Sequence, residues 1–103
     1  MAHDVFSALA NPVRRDILAE LASGPKSVNE LAGLFEIGRP AVSEHLQVLR
    51  TAGLVAAEHV GQQRHYHLQG APLAEAAEWL APFEKFWNAR LRALRDVLDE
   101  EDK

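Results

Sequence analysis

At 103 residues, 48% hydrophobic and 25% charged, the chain has room for one folded domain with one modest core, which excludes a disordered or fibrous protein. Its net charge of −4 sits badly with nucleic-acid binding, so the distribution of charge matters more than the total. No cysteine is present, no apolar run approaches the ~20 residues of a bilayer crossing, and no apolar leader precedes Asp4; disulfide frameworks, thiolate metal sites and cysteine nucleophiles are excluded and an intracellular protein is expected.

In chain order, a brief first helix carries Val5, Phe6 and Leu9, and Asn11-Pro12 closes it. The same pair supplies an N-cap and a first-turn proline to a second helix, about Pro12–Ala22, with Val13, Ile17, Leu18 and Leu21 on one stripe. Gly24-Pro25 stops it. Ser27-Val28-Asn29-Glu30 reads as a capping box opening a third helix that buries Val28, Leu31 and Ala32 and ends near Phe35. After the turn Ile37-Gly38, Arg39-Pro40 opens a fourth helix, buried along Val42, Leu46 and Leu49 and terminated by Gly53. Leu54–His59 and Arg64–Leu68 then read as two strands joined through Val60-Gly61-Gln62-Gln63. In the second strand Tyr66 and Leu68 alternate with His65 and His67. From Pro72 to about Asp99 apolar residues step by three or four, through Leu73, Ala76, Leu80, Phe83, Trp87, Leu91, Leu94 and Leu98. Pro82 lies inside that stripe and predicts a kink or break near 79–82.

The expected fold is mostly α with a small β-hairpin, a winged helix-turn-helix in the order α-α-α-α-β-β-α. One domain is expected over 1–103, with a DNA-binding core at 12–68 and dimerisation helices at 1–11 and 71–99. Because the apolar residues of the fourth helix occupy one stripe, Arg39, Ser43, Glu44, Gln47 and Arg50 face outward. A helix fits the ~12 Å major groove, and its first residues reach base edges. Arg39 suits a guanine edge or a phosphate, Gln47 suits adenine, and Ser43 permits close approach. The hairpin tip Gln62-Gln63-Arg64 suits the backbone or the neighbouring minor groove. With Pro40 and His45 these residues form the candidate DNA-binding set. Six Lys/Arg face seven Asp/Glu over residues 1–68 and five face eight beyond. The acid gathers at Asp99-Glu100-Glu101-Asp102, away from that set.

Residues 5–68, through FSALANPVRRDILAEL, SVNELAGLFEIGRPAVSEHLQVLRTAGLV and GQQRHYHL, resemble the ArsR family of bacterial winged-helix repressors. The resemblance rests on Asn11-Pro12-x-Arg14-Arg15, Ala41-Val42-Ser43-x-His45-Leu46 and Ala52-Gly53-Leu54-Val55. It implies a sequence-specific regulator of transcription, a repressor that binds double-stranded DNA as a homodimer joined through its first and last helices. Phe86-Trp87 and Arg90-Leu91 resemble the last helix of a metal-independent subgroup. Metal-sensing members carry cysteines in the third helix, where this chain has Glu30-Leu31-Ala32-Gly33-Leu34, or Asp/His and His/Glu pairs on the last helix, which here has no histidine. No cofactor or metal is expected, and no membrane partner; a small-molecule effector is left open.

Several residues admit two readings. His59, His65 and His67 either gather around zinc or are solvated wing residues; the second is favoured because no carboxylate or thiolate completes the set. His45 either contacts DNA or hydrogen-bonds the backbone. Arg14 and Arg15 meet phosphate or pair with Asp16 and Glu20, with Arg15 favoured as structural. Arg50 is favoured as a phosphate contact over a bland exposed residue. Glu44 accepts from cytosine N4 or pairs with Arg39 or Arg50. Trp79, Phe83, Phe86 and Trp87 line an effector pocket or, as is usual for a helical stripe, belong to core or dimer interface. The surplus of apolar surface predicts that Val5, Phe6, Leu9, Leu80, Phe83, Trp87, Leu91 and Leu94 form the interface. No enzyme is expected: Ser43 and His45 point apart on one helix, and no phosphate loop or paired-carboxylate cleft is evident. The rival function is a winged helix that contacts proteins and binds no specific DNA.

Overall fold

The computed structural model describes residues 4–101. The elements are α1 (Val5–Leu9), α2 (Pro12–Leu21), β1 (Lys26–Ser27), α3 (Val28–Leu34), α4 (Gly38–Thr51), β2 (Val55–Val60), β3 (Gln63–Leu68), α5 (Ala71–Leu80), a 3-10 turn (Ala81–Phe83) and α6 (Glu84–Glu101). Punctuation residues set most of these limits. Asp4 caps α1 through Ser7 N–H, and the Asn11 carboxamide accepts from Val13 and Arg14 N–H ahead of the first-turn proline of α2. Gly38 stands at φ +76°, so regular helical geometry in α4 begins with Arg39. At the other end Leu54 N–H turns back to the Leu49 carbonyl at 2.9 Å, closing the helix.

The core is one cluster under the helix-turn-helix. Ile17, Leu18 and Leu21 of α2, Leu31 of α3 and Val42, Leu46 and Leu49 of α4 meet Leu54, Val55 and Tyr66. Six of these have no measurable exposure, so truncating one to alanine should cost about 2–5 kcal/mol. Ala8 and Val5 of α1 close one side of the cluster and Ala76 of α5 another. Val5 is therefore a correction to the expected interface: at 4% exposure it is spent on its own chain's core. Leu73, at the start of the C-terminal apolar stripe, likewise packs on the core.

The sheet differs from a simple hairpin. Lys26 and Ser27 pair antiparallel with Tyr66 and His65, giving three strands in the order β1-β3-β2. A two-residue strand has no alternation to read, so its signal is absent from the sequence. Between β2 and β3 the ladder runs from Val55 opposite Leu68 to Val60 opposite Gln63. The loop is thus the two residues Gly61-Gln62, shorter than expected, with Gly61 at φ +65° as such turns require. Pro82 acts as expected: helical geometry tightens to 3-10 over Ala81–Phe83 between α5 and α6.

Candidate nucleic-acid interface

The capping box forms in full. Glu30 N–H donates to Ser27 Oγ at 3.1 Å, and Ser27 N–H donates to Glu30 Oε1 at 3.2 Å. Through β1, Ser27 is also tied to β3, so the start of α3 is fastened to the base of the wing. The first turns of α4 lie alongside. Between them is an open cleft of about 340 Å³ lined by Asn29 of α3, Arg39 and Ser43 of α4, and Gln62, Gln63 and Arg64 of the wing, floored by Ser27, Val28 and Tyr66. Arg39, Ser43 and the three wing residues are exposed.

The cleft holds two arginines and no carboxylate in a chain of net charge −4. Its polar lining can donate to phosphate and to base edges: guanidinium forks, a hydroxyl and carboxamides. Five of the ten residues expected on a DNA-binding surface are thus brought together. Glu44, His45 and Gln47 fall on another flank of α4, where with Arg14, Val48 and Thr51 they line a second hollow of about 370 Å³. Pro40 and Arg50 are exposed and line neither. Asn29 was missed by sequence reasoning; its place at the second position of a capped helix was the available signal.

Arg14 and Arg15 serve an end neither sequence reading foresaw. Arg14 Nε donates to Ala8 O at 2.7 Å and Nη2 to Ser7 O at 3.2 Å, while Arg15 Nη1 donates to Leu9 O at 2.7 Å. Both guanidinium groups therefore cap the carbonyl end of α1, where a helix dipole welcomes cations. Arg14 Nη1 also approaches His45 Nδ1 at 3.4 Å.

The wing histidines do not converge. His65 and His67 lie on one face of β3, opposite Glu58 and Ala56, whereas His59 faces Arg64 on the other side of the sheet. Among the described residues no group of three His, Asp or Glu side chains is placed to hold a metal ion. The aromatic group also divides. Phe6, Trp79, Phe83 and Trp87 form a ladder with successive ring centroids 5.6, 5.1 and 6.5 Å apart, while Phe86 stands apart beneath the Arg90 guanidinium at 4.4 Å.

Residues 11–57 match the family described as bacterial regulatory protein, arsR family. The chain is 41% identical over 96 residues to the HTH-type transcriptional regulator Rv2034 of Mycobacterium tuberculosis, spanning 93% of this chain and 87% of that one. It is 32% identical to the transcriptional repressor SdpR of Bacillus subtilis, over 79% and 90% of the two chains. In three dimensions it resembles the crystal structure of the ArsR family transcriptional regulator RHA00566, with a TM-score of 0.69, 32% identity, and 81% and 86% of the chains covered. All three are regulators or repressors of transcription by name. No helix among the described residues is long and apolar enough to cross a membrane.

Proposed function

The chain belongs to the arsR family of bacterial regulatory proteins and is a DNA-binding transcriptional repressor of winged helix-turn-helix fold; from that premise we propose that it acts in the cytoplasm as a homodimer on a palindromic operator. The observation that carries the proposal is the acid-free cleft joining the start of α4 to the wing tip. α4 enters the major groove by its N-terminal end. Arg39 reads a guanine edge or grips the adjoining phosphate, and Ser43 allows the backbone to come close. Arg64 and the Gln62-Gln63 tip follow the neighbouring phosphates, and Asn29 adds a further donor from α3. The net charge of −4 is no obstacle, because the acid-rich C-terminal segment is on another part of the chain from the cleft.

Two copies are required because α1, α5 and α6 carry apolar surface that one chain leaves bare. Phe6, Leu80, Phe83, Trp87, Leu91 and Leu94 are each 38–57% exposed. A two-fold partner offering the same face covers both, and sets two α4 helices one turn of DNA apart, about 34–36 Å. Release from DNA is read as independent of a transition metal, on the absence of cysteine and the division of the wing histidines between two faces.

The test is a mobility shift on DNA from upstream of the protein's own reading frame. Arg39→Ala and Ser43→Ala should weaken specific binding, Arg39→Ala by about 1–3 kcal/mol, while Arg64→Ala should weaken binding to all sequences alike and flatten its salt dependence. Unchanged affinity in all three folded variants would overturn the assignment.

A further inference from the structure

The hollow on the far flank of α4 holds a contact that the DNA-reading cleft does not use. Each nitrogen of the Arg14 guanidinium has its own neighbour: Nε donates to the Ala8 carbonyl, Nη2 donates to the Ser7 carbonyl, and Nη1 lies 3.4 Å from the His45 ring nitrogen Nδ1. The first two neighbours are the open end of α1 and the third is on α4. One side chain of α2 thus spans the gap between α1 and the DNA-reading helix. α1 in turn meets the C-terminal segment where Phe6 sets its ring edge-on to Trp79.

We infer that Arg14 and His45 are positioning residues, joining α4 to the α1 end of the dimer face through a guanidinium–imidazole contact that exists only while the His45 ring is neutral. The inference rests on the reading that α4 contacts DNA in a dimer. Arginine has donors and no acceptor, so the proposed bond needs a lone pair on Nδ1 and the ring proton on Nε2. A ring protonated at both nitrogens sets a donor against a donor and a cation against a cation. The charged and titratable groups that line the hollow with the ring are Arg14 from α2 and Glu44 from its own helix. From α1 the packed groups are the two carbonyls held by the same guanidinium. Dimer pairing through α1 and α6 fixes where α1 lies, and the Arg14 strut fixes α4 against α1. Cutting the strut leaves each α4 freer to tilt, which weakens a complex that needs both helices in register.

The sign of the pH dependence separates this role from direct DNA contact. An imidazolium touching phosphate would tighten binding in acid, whereas loss of the strut loosens it. The probe is a labelled duplex recovered with the wild-type protein from a random-sequence pool, its affinity measured from about pH 8 to about pH 5.5. Wild type, His45→Asn, Arg14→Lys and Arg39→Ala are compared. Asparagine keeps an acceptor near the place of Nδ1 and does not titrate. Two struts per dimer, each one hydrogen bond, should lower the affinity of the wild type relative to His45→Asn by roughly tenfold in acid. Arg14→Lys should bind less tightly at high pH and lack that extra loss. Nitrogen NMR of the free protein should find the His45 proton on Nε2.

A ratio of wild-type to His45→Asn affinity that stays level or rises in acid overturns the inference, as does a proton found on Nδ1. Should His45→Asn fail to fold, the pH series of Arg14→Lys against wild type decides in the same way. Arg39→Ala distinguishes the two layers of the argument. Undiminished binding by that variant sinks α4 as the reader, whereas a loss there beside a level His45 ratio sinks the strut alone.

Discussion

Ser27 is the one buried polar side chain in the core among the described residues, and it works twice. Its hydroxyl caps α3 and its backbone N–H holds the Glu30 carboxylate. That carboxyl is held below its ordinary value of 4.5, first by the Ser27 backbone bond; desolvation opposes this, and the Ser27 hydroxyl, His65 and Lys26 add smaller pulls in the same downward direction. A carboxyl depressed in the folded state stabilises the fold above its unfolded value and loses that contribution as pH falls through its folded one. Ser27→Ala, which removes the capping hydroxyl, should cost about 0.5–2 kcal/mol near neutrality by urea unfolding. Glu30→Gln removes the charge that the Ser27 N–H holds, so its stability gap from wild type should narrow as pH falls and Glu30 of the wild type is protonated. A gap independent of pH would show that the box contributes nothing through the carboxylate. The box itself was legible because its two partners are three residues apart. The roles of Arg14 and Arg15 were not, because their acceptors are backbone carbonyls of the preceding helix, and any side chain offers the same carbonyl.

At the scale of elements, stripe periodicity located every helix, and Pro82 marked the 3-10 turn. The wing was legible in outline, since Tyr66 and Leu68 alternate with His65 and His67, and in the strand Tyr66 is buried between half-buried His65 and His67. Register was not legible, and it decides what the histidines can do. With Val60 opposite Gln63, His59 shares a face with Arg64 and Tyr66, away from His65 and His67. A single-residue slip would have put all three on one side. Titrating zinc into the protein–DNA complex, against a chelator control, should leave operator affinity within about twofold at micromolar metal, since a His65–His67 pair alone lacks a third ligand. A stoichiometric loss of affinity would show that the wing gathers a complete set on binding.

The whole molecule is elongated. Its radius of gyration is 17.5 Å, against about 13 Å for a compact chain of this length, and it measures 58 × 32 × 21 Å. The excess comes from α6, eighteen residues that pack chiefly on the 3-10 turn and leave Leu91, Leu94, Val97 and Leu98 51–57% exposed. Under the proposed dimer, that stripe is half of the interface. Trp87, 38% exposed in one chain, sits at the end of the aromatic ladder where that stripe begins. If the partner chain buries the rest of the indole, Trp87→Ala should cost about 3–5 kcal/mol and convert dimer to monomer in sedimentation at micromolar concentration. A wild type that sediments as a monomer there would remove the interface, and with it the spacing of the two α4 helices.

Local chemistry decided much of this protein in advance. Caps, turn residues and helical stripes depend on neighbours three or four positions apart, so Asn11-Pro12, Ser27 with Glu30, and the Val42, Leu46, Leu49 stripe announce their elements from the sequence alone. The outward pair Arg39 and Ser43 followed by subtraction from the last of these stripes, and Arg64 from the polar hairpin tip. The tertiary structure decided whatever depends on partners distant in sequence. It gave Ser27 and Lys26 a strand partner in β3, sent Val5 and Leu73 inward, and split the outward residues of α4 between a cleft beside the wing and a hollow beside Arg14. Periodicity says which face of a helix is apolar. Which neighbour covers that face is set by packing across the whole chain, and no single segment carries that information.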